Sequence, residues 1–254
     1  MKKAPIGILD MAIDNITIMN TLAVEFPYES FIYLNDLAVM DYEGMEEEAI
    51  LKRVKEQIAF LLSQQVKLIV VVSNTIIEYC KDYFNEIPVP VINMVDSIIN
   101  YVNDNYELKN MVFLASEAII KANIYQKNFR YNHLYTVPID TWNQIVTNNH
   151  TKTTQSFHTV KEGLKQAALK EVDIIIPTDI NLLQLATEMM EYMKDAYLLP
   201  MDKILCENIK AALLTIENIY LRGKRTITVG STVSKKEFVY SFLLHMKYHF
   251  LFRK

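Results

Sequence analysis

The chain has 254 residues, of which 51% are hydrophobic, and a formal net charge of −4 at pH 7. A chain of this size and composition buries one large core or two smaller ones, which is typical of a globular protein. Acidic and basic residues are interspersed, so nucleic acid is not an expected partner. No run approaches the roughly 18 apolar residues of a membrane-spanning helix, so no membrane association is expected.

Eight short apolar segments predict strands, and several are continuous apolar runs, which is typical of strands covered on both faces. In chain order they are IGILDM (6–11), FIYL (31–34), LIVVVS (68–73), VPVINM (89–94), MVFLA (111–115), LYTVP (134–138), VDIII (172–176) and TITVG (226–230). The segments between them have helical periodicity. This alternation predicts an α/β fold with doubly wound parallel sheets.

Three segments illustrate the predicted helices. The first, 45–65, has apolar residues at helical spacing on one face, namely Ile50, Val54, Ile58 and Leu61. The second is the segment ENIKAALLTIENIYL (207–221), and Cys206 precedes it or lies in its first turns. The third is the segment FVYSFLLHMKYHFLFRK (238–254), which predicts a C-terminal amphipathic helix with one stripe made of Phe238, Phe242, His245 and His249.

Ligands of doubly wound proteins bind beyond the carboxyl ends of the strands. In this chain a polar or turn-forming group follows most of the predicted strands. These groups are Asp10 and Met11, Asn35 and Asp36, Ser73 to Thr75, Asn93 to Asp96, Ser116, and Pro177 to Asp179. We therefore expect the functional residues among them.

Cys80 and Cys206 are the only thiols of the chain, and neither belongs to a Cys-x-x-Cys or Cys/His cluster. No metal site is predicted, and the pair His245 and His249 is expected at the surface. Both thiols are expected to be packing residues. The N-terminal segment 1–14 lacks the apolar stretch of a signal peptide, so with its free thiols the chain is expected to be cytoplasmic.

The order of these segments resembles that of the glutamate racemases, in the aspartate/glutamate racemase family. The matching stretches are IGILDMAIDN, FIYLNDLAVMDYEG, VVVSNTIIE, IPVPVINMVDS, ASEAIIKANIYQ, VDIIIPTDINLL and RTITVGSTVSKKEFVYSFL. The resemblance implies two similar doubly wound parallel-sheet domains that face each other across a cleft. Residues 1–97 plus 206–254 would form the first domain and residues 98–205 the second. It also implies that no cofactor is used.

Racemases of this family remove the α-proton of an amino acid on one face and return a proton on the other, with one cysteine on each side of the substrate as acid or base. The family motifs are Asp-Ser-Gly after the first strand, Cys-Asn-Thr after the third, and Gly-Cys-Thr-His in the second domain. Here Ser73 stands in place of the first cysteine and Pro177 in place of the second. Thr178 matches the threonine, and Asp179 stands in place of the histidine. The resemblance therefore implies that the catalytic set is degenerate.

Four other positions keep a residue that could hold a ligand: Asp10, Asn74, Thr75 and Tyr42. Two interpretations stay open for most of them. Asp10 orients a base or a ligand amine, or it caps the helix that begins near Ile16. Asn74 and Thr75 hold an amino-acid carboxylate, or they complete a turn. Ser73 is a nucleophile, or its hydroxyl caps the following helix. Tyr42 lies where the family has its Pro-Tyr-Gly substrate loop.

Two hypotheses of different classes follow. In the first, the protein is a degenerate glutamate racemase homologue without racemase activity that acts as a binding or assembly protein. In the second, it is a cofactor-independent racemase or isomerase that acts on glutamate or aspartate, and Asp10, Asp179 or a hydroxyl group transfers the proton. The ligand expected in the cleft is an acidic amino acid.

The partner expected from the residues is a second copy of the chain. Segment 238–254 carries more aromatic residues than one amphipathic face buries, and such an excess is typical of interfaces, which predicts a homodimer. The alternative is that this helix packs wholly on its own domain. Some members of the family bind DNA gyrase, so gyrase is a further partner implied by analogy alone.

Overall fold

The structure is a computed structural model that describes residues 4–38, 45–130 and 132–253. The chain divides into two compact units, Met1–Ser97 with Leu205–Lys254, and Ile98–Ile204. Each unit contains one parallel sheet, which confirms the prediction of a two-sheet α/β protein. Among the described residues, no helix has the length and apolar character that a bilayer crossing requires.

The first unit begins with four strands that alternate with helices. In chain order these elements are β1 (Ile6–Leu9), α1 (Ile18–Glu25), β2 (Phe31–Asn35), α2 (Glu47–Ser63), β3 (Leu68–Val71), α3 (Asn74–Cys80), a 3-10 helix (Lys81–Glu86), β4 (Val91–Asn93) and α4 (Met94–Asn105), which begins in the first unit and continues into the second. Every residue of β1, β2 and β3 is buried, as their continuous apolar sequences predict. In α2 the predicted apolar stripe is buried, at Ile50, Val54, Ile58 and Leu61.

The second unit continues the alternation. Its elements are β5 (Asn110–Ala115), α5 (Glu117–Ala122), a 3-10 helix (Gln126–Asn128), β6 (His133–Pro138), α6 (Trp142–Thr147), α7 (Thr154–Leu164), a 3-10 helix (Ala167–Lys170), β7 (Ile174–Pro177), a 3-10 helix (Ile180–Leu185), α8 (Ala186–Tyr192) and β8 (Tyr197–Leu198). Its strand order is β6-β5-β7-β8, and every neighbouring pair is parallel. The buried strands β5 and β7 therefore lie at the centre of this sheet.

The chain then returns to the first unit. The returning elements are α9 (Met201–Thr215), β9 (Ile227–Ser231), a 3-10 helix (Val239–Leu243) and β10 (His249–Phe252). The strand order of the first sheet is β10-β9-β2-β1-β3-β4, and all of its neighbours are parallel. All carboxyl ends of this sheet therefore lie along one edge, and all amino ends lie along the other.

The predicted C-terminal helix over 238–254 is wrong. The segment forms a short 3-10 helix and then the edge strand β10, whose residues pair with β9 from His249↔Thr228 to Phe252↔Ser231. The outer side of β9 needs backbone hydrogen-bond partners, and a run of aromatic and aliphatic residues suits a strand. Phe238 and His249 therefore do not share a helical stripe.

A buried ion pair fastens the returning chain to the amino edge of the first sheet. The ammonium of Lys67 lies 2.7 Å from Oε2 of Glu29, and both side chains are at most 3% exposed. Lys67 also donates to the carbonyl of Asn218, and the backbone N–H of Tyr220 donates to Oε1 of Glu29 at 2.7 Å. The loop after α9 is thus held by charged groups that precede β2 and β3.

Candidate functional site

The carboxyl edge of the first sheet brings together polar residues that follow β1, β2 and β3. We call it the first edge, made of Asp10, Asn35, Asp36, Ser73, Asn74 and Thr75. Strand β1 lies between β2 and β3, and the pairing continues past the strand ends. The N–H of Asp10 donates to Leu34 at 2.9 Å, and the N–H of Val72 donates to Leu9 at 3.0 Å. The predicted clustering at this edge follows from that register.

Asp10 is a buried carboxylate at the centre of the first edge, and it is 1% exposed. It accepts hydrogen bonds from the backbone N–H groups of Met11 and Asn15 and a 2.8 Å bond from the hydroxyl of Tyr33. Burial raises the pKa of Asp10, while these donors act to lower it. Burial therefore destabilises the ionised carboxylate of Asp10, and its hydrogen-bond donors stabilise it.

Asp10 does not cap the following helix, which corrects one of the two predicted roles. Helix α1 begins at Ile18, and Thr17 occupies its N-cap position without a side-chain cap bond. Asp10 instead organises the turn before α1, because it binds the N–H of Asn15. Met11 and Ile13 fill that turn with buried side chains that are 3% and 5% exposed.

Asp36 carries an ion pair that no spacing in the sequence predicts. Its Oδ2 lies 2.6 Å from Nη2 and 2.7 Å from Nε of Arg53, on α2. The hydroxyl of Thr232, after β9, donates to Oδ1 at 2.9 Å. Arg53 and Thr232 lie 17 and 196 positions from Asp36 in the sequence, so only the sheet order brings them together.

Asn35 is a further polar residue of the first edge, at the end of β2. Its side chain is buried, and within the described part of the chain neither Oδ1 nor Nδ2 has a hydrogen-bond partner. Its register partner is Ser231, at the end of β9. A buried amide without partners costs about 1–3 kcal/mol, which makes Asn35 a candidate contact for a polar ligand.

Ser73 serves the backbone of α3. Its side-chain oxygen accepts a 3.3 Å hydrogen bond from the N–H of Ile76 at the N-cap of that helix, and the residue is 6% exposed. Asn74 is buried in the first turn, and Thr75 is partly exposed. Of the two predicted roles for Ser73, the geometry is that of a helix cap. Tyr42 lies outside the described residues.

The carboxyl edge of the second sheet carries the other predicted residues. We call it the second edge, made of Ser116, Pro177, Thr178 and Asp179. The N–H of Thr178 donates to Leu114 at 2.9 Å, which continues the β5–β7 pairing, and Thr178 is fully buried. Asp179 accepts a 2.7 Å bond from the amide of Asn143 on α6. Ser116 caps α5 through the N–H of Ile119.

Neither thiol of the chain lies at a strand end. Cys80 is the last residue of α3, and its burial raises the pKa of the thiol to about 11. Cys206 lies in the second turn of α9 and is 5% exposed. Both are buried packing residues, as predicted. In the part of the chain that the structure describes, no group of three or more His, Cys, Asp or Glu residues could hold a metal ion.

Comparison with known proteins gives one consistent similarity. No family model matches the chain. Glutamate racemase from Lactobacillus johnsonii is 30% identical over 132 residues, which cover 52% of this chain and 50% of the relative. Glutamate racemase from Exiguobacterium sibiricum is 30% identical over 127 residues, which cover 50% and 47%. The chain thus spans about half the length of these curated relatives.

Solved structures extend the similarity of the fold to the whole chain. Glutamate racemase from Francisella tularensis, in complex with D-glutamate, has a TM-score of 0.87 and 21% identity over 100% of this chain and 98% of its own. A glutamate racemase isoform from Bacillus anthracis has the same TM-score, with 18% identity over 100% and 98% of the two chains. The two-sheet architecture described above is therefore the fold of these enzymes.

Proposed function

We propose that this chain, which is glutamate racemase-like in sequence and fold, is a degenerate homologue that has lost racemase activity and acts as a binding or assembly protein. Its relationship to the glutamate and aspartate racemases is supported by sequence and by fold. The loss of activity, the ligand and the partner are the proposal.

One observation carries the loss of activity. At the two positions where the resemblance places catalytic cysteines, Ser73 uses its oxygen to cap α3, and Pro177 has no proton to exchange. The two thiols that the chain does have are buried in helices. A positioned acid or base contributes about 10²- to 10⁴-fold to a rate, so removing one on each face of the substrate abolishes useful racemisation.

The binding part of the proposal rests on the polar groups of the first edge. Asp10 supplies a buried carboxylate for an amine, and the partnerless amide of Asn35 supplies a donor and an acceptor. Asn74 and Thr75 stand at the start of α3, where they could hold a ligand carboxylate. An acidic amino acid is the ligand class that suits this set. Tyr42 stays a proposed contact from the resemblance alone.

The assembly part of the proposal now rests on an edge strand. Among the described strands β10 has a neighbour, β9, on one side only, and Leu251 and Phe252 are 37% and 46% exposed. Phe242, in the preceding 3-10 helix, is 39% exposed. An apolar edge strand pairs readily with a second strand, and a two-fold axis beside β10 would pair it with its own copy. A homodimer is therefore the simplest assembly, and DNA gyrase stays a partner by analogy alone.

The activity is tested by loss of the α-hydrogen signal in heavy water. We expect proton NMR to show no exchange of D- or L-glutamate, or of D- or L-aspartate, beyond a protein-free control. A glutamate racemase with both cysteines serves as the positive control. Exchange that requires the protein and disappears in the variant Asp10→Ala would overturn the proposal and establish an enzyme.

The second candidate function is that of a cofactor-independent racemase or isomerase of glutamate or aspartate, which such exchange would establish. One observation favours it. Burial raises the pKa of Asp10, and a carboxyl group with a raised pKa at a strand edge is a candidate general base. Asp179 or a hydroxyl group would then return the proton. The same exchange measurement separates the two functions.

The assembly is tested by light scattering coupled to gel filtration. We expect the mass of a dimer for the unaltered chain and of a monomer for the double variant Leu251→Lys and Phe252→Lys. The matched control is Val24→Lys with Leu169→Lys, two residues that are 73% and 75% exposed on other surfaces. A monomer at micromolar concentration for the unaltered chain would exclude the homodimer.

A further inference from the structure

We propose that the first unit carries a second ligand site, a basic groove that binds a small molecule with two or more phosphate groups. The groove lies at the amino ends of β9 and β10 and has a volume of about 920 Å³. Because both strands are parallel to β1 and β2, this place is the amino edge of the sheet. The first edge lies at the carboxyl ends, so the groove is separate from the site described above.

The charge of the groove points to an anion. Its basic lining residues are Arg225, Lys235, His245, Lys247 and His249, and within the described part of the chain no acidic residue lines it. Among the described residues, none of these five side chains belongs to an ion pair. The whole chain has a net charge of −4, so this surface is opposite in sign to the protein. Like charges gathered in a concave surface repel one another and attract a counter-ion.

One of these basic side chains is already oriented. The guanidinium of Arg225 donates through Nη1 to the backbone carbonyl of Ala23, at the end of α1. This bond fixes the plane of the guanidinium and leaves further N–H donors for another acceptor. Arginine binds phosphate with two parallel bonds, and lysine binds it as a compact point charge. Arg225 with Lys235 and Lys247 therefore suits phosphate better than a single carboxylate.

The aromatic and apolar lining residues indicate what the part of the ligand other than its phosphates is like. Tyr248 and Phe250 are partly exposed aromatic residues that line the groove next to the basic side chains. Ile227 and Met246 add further apolar lining. Small-molecule sites have volumes of about 300–1,000 Å³ and combine apolar walls with a few charged groups. The ligand class that fits is a di- or triphosphate attached to an aromatic or apolar body.

The test uses titration calorimetry of the full chain with two probes, ATP and inorganic tripolyphosphate. We expect both to bind, ATP more tightly because its ring can contact Tyr248 and Phe250, and both more weakly as salt is raised. The double variant Lys235→Ala and Lys247→Ala should lose at least about tenfold in affinity for each probe. Both lysines are exposed, so the fold should be retained, and thermal unfolding checks this.

The matched control is the double variant Lys121→Ala and Lys165→Ala, which removes the same charge from exposed positions of the second unit. It should bind both probes as the unaltered chain does. An equal loss in the control, or no binding of either probe at millimolar concentration, would overturn the site. Binding to vesicles with anionic lipids but not to ATP would overturn the small-molecule class.

Discussion

The hydroxyl of Tyr33, on β2, donates a 2.8 Å hydrogen bond to Oδ2 of Asp10, at the end of β1, and both side chains are buried. Burial raises the pKa of Tyr33 well above its ordinary value, and the charge of Asp10 raises it further. The phenol therefore stays protonated and acts as a permanent donor. This bond joins the neighbouring strands β1 and β2 at the first edge.

Asp10 should make stability depend on pH. Burial raises the pKa of Asp10 above its ordinary value of 3.8, so the folded chain binds the proton more tightly than the unfolded chain. Its contribution to the free energy of unfolding is then fully present below that value and is lost as pH rises through the folded pKa. Urea unfolding of the unaltered chain and of Asp10→Asn should give a stability difference that moves in favour of Asp10→Asn as pH rises from about 4. A difference independent of pH would contradict this assignment.

Ser73→Ala should destabilise the chain by about 1 kcal/mol, because the N–H of Ile76 loses its cap acceptor. The matched control is Ser116→Ala, which removes a cap bond of the same 3.3 Å length from α5. Equal losses in thermal or urea unfolding would identify Ser73 as a structural cap. A gain of stability in Ser73→Ala alone would indicate a hydroxyl retained for function at a cost in stability.

Restoring both cysteines should not restore a racemase. In the double variant Ser73→Cys and Pro177→Cys the thiols return, but Met11 and Ile13 still fill the turn after Asp10 with buried side chains. Asp179, which accepts a hydrogen bond from Asn143, still stands where the resemblance places a histidine. Circular dichroism of glutamate solutions should show no racemisation above a protein-free sample. Turnover comparable to that of a glutamate racemase would show that only the thiols were lost.

Lys67→Met should destabilise the chain by about 3–5 kcal/mol, because it leaves Glu29 as an uncompensated buried charge. Lys67 also lies 4.1 Å from the centre of the Tyr220 ring, and this contact is lost as well. Lys121→Met, which breaks an exposed pair with Glu117, should change stability by less than about 0.5 kcal/mol. Similar losses for both variants in urea unfolding would refute the importance of the buried pair.

The core of both sheets is predictable from the sequence because the central strands are continuous apolar runs. β1, β2, β3, β5 and β7 were each expected near their observed positions, and the apolar stripe of α2 is buried as expected. The polar residues of both edges were also predictable, since parallel strands place their carboxyl ends together. Where a strand is buried on both faces, its run of apolar residues is sufficient to predict it.

Two strands escaped prediction because their pairing is decided by distant residues. β8 is only the two residues Tyr197 and Leu198. β10 has mostly exposed side chains and a spacing of aromatic residues that also suits a helix, and only its pairing with β9 selects the strand. Asn35 and Asp36 are expected at this edge, but the pairing of Asp36 with Arg53 and the lack of a described hydrogen-bond partner for the Asn35 amide are not predictable, for the same reason. Each depends on which strands and helices are neighbours, which single-sequence periodicity does not specify.

The position of β9 has a consequence for the order in which the protein folds on the ribosome. β9 lies between β2 and β10 inside the first sheet, although almost 200 residues of chain separate it from β2, from Asn35 to Ile227. The residues of the second unit, Ile98–Ile204, are all synthesised before β9. We expect this inserted unit to fold first, while β2 keeps an open, aggregation-prone edge until β9 emerges. Nascent chains released before β9 should therefore depend most on chaperones.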